Sequence, residues 1–115
     1  MATGALNVFK TVATEVVTSP TVEVYEAPEG YTSIILMAQI SNVTSSAETI
    51  TFSHVVPGSP DVSTELLKDF LVPGNDAVSA TTGKLVLETG HQIWVSAGAS
   101  DTLKLVLSIL ESANE

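Results

Sequence analysis

The sequence contains no cysteine and no arginine. Without cysteine there is no disulfide and no thiolate metal site, and a reducing cytosol is compatible with the chain. Without arginine the usual bidentate fork for phosphate and guanine is missing. Charge is scarce and one-sided: 15% of residues are charged, and 13 Asp and Glu stand against four Lys, for a net charge of −9. Such a chain repels phosphate backbones and anionic lipid, so neither nucleic acid nor a membrane surface is an expected partner. Aromatic residues are only 5% of the chain, with a single Trp. Stacking on sugar rings needs exposed aromatics, so a carbohydrate-binding module is a weaker reading. The longest apolar run, Ile34 to Ala38, is far too short to span a bilayer. The first six residues lack a basic region followed by an apolar core, so no secretory leader is expected there.

What the chain does have is Thr, Val and turn residues. At 115 residues and 44% apolar it has the size and content of one domain, residues 1–115, with a real core. Gly83 to Ile109 is the clearest segment. Its three β-branched or Leu-rich runs are divided at Thr89-Gly90 and at Gly98 to Asp101, which predicts strand, turn, strand, turn, strand. Upstream, strands are expected over Val8–Val17, Thr21–Tyr25, Tyr31–Val43 and Glu48–Val56. In Thr21–Tyr25, alternation puts Val22 and Val24 on one face and Glu23 and Tyr25 on the other. Ile34 to Ala38 is apolar in both parities, which predicts a central strand covered on both sides. Ala27-Pro28-Glu29-Gly30 and Pro57 to Asp61 are turn and loop. Residues 64–72 and 102–111 fit helix or strand by spacing. Many short runs at regular intervals favour strand for both, and an all-β antiparallel sandwich of jelly-roll type with about eight strands.

Reactive constellations are hard to find. His54 shares the parity of Ile50 and Phe52 and reads as a histidine at the core edge with a hydrogen-bond partner. His91 follows a turn and is expected in solvent. A zinc site on this pair lacks a third ligand, and no His-x-His spacing exists. No serine sits in a Gly-x-Ser-x-Gly elbow, and phosphate-binding, dinucleotide and calcium loops are absent from the sequence. Glu26 and Glu29 flank a turn and read as exposed. Asp61, Asp69 and Asp76 are scattered. The expectation is a protein that is not an enzyme and has no cofactor and no metal. Trp94 alternates against Ile93 and Val95 and so faces away from them, where an inter-subunit contact suits it. The run Leu6-Asn7-Val8-Phe9 is apolar and has no obvious hairpin partner. Residues 1–15 are therefore expected to form an arm that pairs with a neighbouring subunit or a shell. Leu6, Val8, Phe9 and Trp94 are the candidate interface residues.

Four segments in order carry a family resemblance: Tyr25-Glu-Ala-Pro-Glu-Gly-Tyr31-Thr-Ser-Ile-Ile, Ala38-Gln-Ile-Ser-Asn42-Val, Gly83-Lys-Leu-Val-Leu-Glu88-Thr-Gly90 and Leu107-Ser-Ile-Leu-Glu111. Together they resemble small virion structural proteins of tailed phages, notably phages of marine cyanobacteria, over about residues 22 to 114. The chain departs from that pattern at His91, where relatives often carry Asp. The resemblance implies a β-sandwich building block of the virion, assembled in the host cytoplasm, without catalysis. It implies a capsid decoration, or cement, protein that binds and reinforces the head, with a neck, tail or baseplate component as the alternative. The implied partners are the chain itself, as a homo-oligomer and most simply a trimer, and the major capsid protein or a neck or tail protein.

Overall fold

The computed structural model describes residues 6–16 and 21–114. Among these residues the Val- and Thr-rich runs form nine strands: β1 Asn7–Val16, β2 Val22–Glu26, β3 Tyr31–Asn42, β4 Glu48–Val56, β5 Val62–Val72, β6 Ala77–Ser79, β7 Leu85–Leu87, β8 Gln92–Ala97 and β9 Leu103–Ala113. Both segments of ambiguous spacing are strands. Alternation at period 2 buries Leu103, Leu105, Leu107 and Ile109 on one side of β9, and the helical alternative would have scattered them around a cylinder.

All pairings are antiparallel. One sheet, called A, runs β1-β9-β3-β6, with β7 also on β3; the other, B, runs β2-β8-β4-β5. Successive strands cross from one sheet to the other except at β4–β5 and β6–β7. That is the wrapping of a jelly roll, as expected. The count is nine rather than about eight because the position beyond β3 is filled by two short pieces, β6 opposite Gln39–Ser41 and β7 opposite Ser33–Ile35. The inner faces meet around Phe52, Ile35, Ile40, Ile50, Leu87 and Ile93, all fully buried. Each such side chain contributes about 1.5–3 kcal/mol by leaving water.

Two turns close one end of the sandwich. Tyr31 N–H donates to Pro28 O at 3.1 Å, and His91 N–H to Glu88 O at 2.9 Å. In each the third residue is a glycine at positive φ, Gly30 at 85° and Gly90 at 86°, the conformation a type II turn demands there. Ala27 joins the turns: its N–H donates to His91 O and its carbonyl accepts from Gly90 N–H, both at 2.9 Å.

Three sequence expectations are corrected. Tyr25 does not share an outward face with Glu23. The β2–β8 register shifts between Glu23 and Tyr25, and this bulge at Val24 turns Tyr25 into the core. β3 is central in its sheet, but it is covered on one side only: Leu36 and Met37 are each 37% exposed. The register shift between Ile35 and Met37 puts two neighbours outside, which is why the run is apolar in both parities. The N-terminal run is not partnerless. β1 pairs with β9 from Asn7↔Ser112 to Val16↔Leu103, and the Leu6 carbonyl accepts from Ala113 N–H at 2.7 Å. Its partner lay nearly a hundred residues away, beyond the reach of any hairpin signal. The rest of the expected arm, residues 1–5, lies outside the described residues.

Candidate functional site

Exposed apolar side chains occur on both sheets: sheet B has Val56 at the end of β4 and Val62, Leu66, Phe70 and Leu71 on its edge strand β5, and sheet A has a row that crosses its outer face. Its outward positions follow from the register. Phe9 on β1 lies opposite Leu110 on β9, Leu110 opposite Ile34 on β3, and Ile34 opposite Val86 on β7. One row of four apolar side chains thus crosses the whole sheet. Phe9 is 76% exposed and Val86 52%. Leu36 and Met37 extend the row along β3, while on β9 the next outward residue after Leu110 is Ser108. Cross-strand neighbours of this kind stand about 4.5–5.5 Å apart and form one continuous patch.

Charge sharpens the contrast. The strands of sheet A carry Lys10, Glu15, Lys104 and Glu111, which balance. Glu111 is turned inward and buried. Glu15 and Lys104 are register partners at one end of the outer face. The strands of sheet B carry Glu23, Glu26, Glu48, Glu65 and Asp69 against Lys68 alone. A chain of net charge −9 therefore presents one sheet with no net charge. The outer face of sheet B is also partly filled by its own side chains, for Ser53 and Val55 there are buried.

The four candidate interface residues do not share one surface. Phe9 stands on the outer face of sheet A. Val8 has the opposite parity, lies half-buried opposite Glu111 and points toward the interior. Leu6 is exposed just before β1. Trp94 is on the outer face of sheet B between Glu23 and Ser53, half-buried, with its Nε1–H donating to Gln92 Oε1 at 2.7 Å. Ile34, Met37, Val86 and Leu110 were missed as surface residues. The signal for Ile34 and Met37 was present in the two-sided apolar run of β3, which reads equally well as burial within the chain and as burial against something else.

Two polar clusters occupy the closed end. Tyr25 O–H donates to Glu111 Oε2 at 2.5 Å, and Ser33 Oγ lies 2.7 Å from the tyrosine oxygen. Lys10 Nζ stands 3.3 Å from the same Glu111 oxygen. Burial first, and then the bond to Glu111, push the Tyr25 hydroxyl well above the ordinary tyrosine range. Lys10 points inward from an edge strand, a placement that discourages further strand pairing there. Nearby, His54 Nε2 and His91 Nδ1 are 3.0 Å apart, with ring centroids 5.1 Å apart. His91 is thus paired and half-buried instead of solvated. His54 is held below the usual histidine value by burial first and by His91 second, with Glu88 opposing. Among the described residues, no group of three His, Cys, Asp or Glu side chains is arranged to hold a metal ion.

No family model matches the sequence. No curated protein matches it. In structure, the chain is similar to part of a chain in the crystal structure of the T13 IBDV viral particle, an icosahedral virus, with a TM-score of 0.54 and 9% identity. That likeness covers 93% of this chain and 31% of the other, so this chain spans less than a third of the length of its neighbour. At this identity the likeness is one of fold: an antiparallel β-sandwich found in a viral particle.

Proposed function

We propose that this chain is a virion structural protein, a jelly-roll building block that works by assembly rather than by catalysis. The observation that carries the reading is the outer face of sheet A, without net charge and crossed by an exposed apolar row, on an otherwise acidic chain. An exposed apolar face of that extent marks an interaction surface. The fold likeness to a chain of an icosahedral viral particle and the resemblance of four sequence segments to tailed-phage virion proteins point the same way.

The finer reading is a capsid decoration protein that binds the major capsid protein and reinforces a phage head. A neck, tail or baseplate component is the alternative, with fewer copies per particle. The chain would act as a homo-oligomer in the virion. A trimer suits a three-fold lattice position, while sheet A favours a self-contact of different order, argued below. Quantitative mass spectrometry of purified particles tests the reading. Hundreds of copies per particle support head decoration, a few dozen or fewer support the neck or tail, and absence from particles overturns the proposal.

A further inference from the structure

We infer that the outer face of sheet A is a homodimer interface, in which two copies of this chain stack sheet A on sheet A about a two-fold axis. The occupant is a second copy because of charge and area. Two copies carry −9 each and repel wherever their acidic surfaces meet. Sheet A is the face on which they can approach without that cost, since its outward strand positions hold one acid and one base, Glu15 and Lys104, already paired in register. Lys84 and Glu88, which flank β7, are again one of each sign.

The face is also large enough. Four strand positions at about 4.8 Å and ten residues at about 3.3 Å give about 600 Å² per copy. Two copies then bury about 1,200 Å², the lower end of stable protein interfaces.

The register fixes the geometry. Place the axis parallel to the strands, midway between β9 and β3. The apolar row then maps onto itself in reverse. Phe9 lies over the second copy's Val86, and Leu110 over the second copy's Ile34. Sheets stacked this way pack about 10 Å apart with their strands within about 30° of each other. The contact is isologous and closes at two copies, so the unit this face builds is a pair and not a trimer. The inference stands on the sheet itself and does not depend on the virion reading.

Sedimentation of the purified chain across a range of concentrations tests it. The expected result is reversible association to twice the mass of one 12.0 kDa chain. Phe9→Asp places a carboxylate at each edge of the stacked faces. It should weaken association on the order of tenfold or more. Its thermal midpoint should stay near that of the parent, because Phe9 is 76% exposed. Trp94→Ala, on the other sheet, should leave association unchanged. The chain has no cysteine of its own, so a Phe9→Cys, Val86→Cys double variant gives a second readout. In the stacked pair these positions face each other across the ~10 Å between sheets, beyond the reach of a disulfide, so a short bifunctional thiol reagent takes the place of oxidation. It should yield a covalent dimer linked from position 9 of one copy to position 86 of the other. A monomer at high micromolar concentration, a trimer, an association insensitive to Phe9→Asp, or no 9-to-86 cross-link between copies overturns the inference. None of these outcomes bears on the copy number in particles, which is measured separately.

Discussion

Tyr25 on sheet B donates its hydroxyl to the Glu111 carboxylate on sheet A at 2.5 Å, tying the two sheets together at the closed end of the sandwich. Glu111 is 4% exposed and occupies the next core-facing position of β9 after Ile109. A charged group so placed needs its donors. Tyr25→Phe removes one, and the expected cost is about 1.5–3 kcal/mol, the usual worth of a hydrogen bond to a charged partner. Lys10→Ala removes a half-exposed ion-pair partner and should cost less, about 1 kcal/mol or under. Urea denaturation of both variants checks the order, and an equal loss would contradict it.

The same hydroxyl predicts lability in alkali. The folded-state pKa of Tyr25 is raised above its unfolded value of about 10. The folded state then holds a proton that the unfolded chain releases. The contribution is fully present below pH ~10 and is lost as pH rises through the folded value. Thermal midpoints should fall above pH ~10, and less so in Tyr25→Phe measured against its own neutral-pH value.

His54 acts in the other direction. Its folded-state pKa lies below the ordinary 6.5, so the unfolded chain takes up the proton first. Stability is full above pH ~6.5 and declines as pH falls through the folded value. His54→Gln should flatten that part of the profile. An unchanged slope between neutral and mildly acidic pH would show that burial and the neighbouring His91 do not hold the His54 pKa down.

Ile35 and Leu36 are neighbours in β3 with different fates. Ile35 is fully buried, whereas Leu36 is 37% exposed. Ile35→Ala should cost about 2–5 kcal/mol through the cavity it leaves, and Leu36→Ala clearly less. Comparable losses would mean that the outer face of sheet A is covered more fully than the chain itself covers it.

Removing residues 2–12 should not leave the sandwich intact. It strips β1 from Asn7 to Val12 and leaves β9 from Leu107 to Ser112 paired with β3 alone. A lower thermal midpoint and faster amide exchange in β9 are expected. A truncated chain as stable as the parent would restore the view of this segment as a detachable arm.

Much of this fold was legible in the residues. Alternation and turn chemistry located the strands from Tyr31 onward except β6, because period 2 and the Gly30 and Gly90 turns are local properties. The partner of β1 was not legible, since pairing across the chain leaves no local mark. Nor was the bulge at Val24, which moved Tyr25 from the surface to the Glu111 cluster. The apolar face of sheet A was visible only as an ambiguity in Ile34 to Ala38. Sequence shows that a side chain is to be buried, not whether its own chain does the burying. Phe9 was singled out as an apolar interface candidate, but its exposure and its row with Leu110, Ile34 and Val86 exist only in the register.

The most direct test of a structural role is a density map of intact particles at side-chain resolution. A repeated nine-strand jelly roll, at regular positions on the head and with the Val24 bulge of β2 and the split β6 and β7 recognisable, is the predicted result. A fully interpreted map of head, neck and tail in which no density fits this chain would contradict the account.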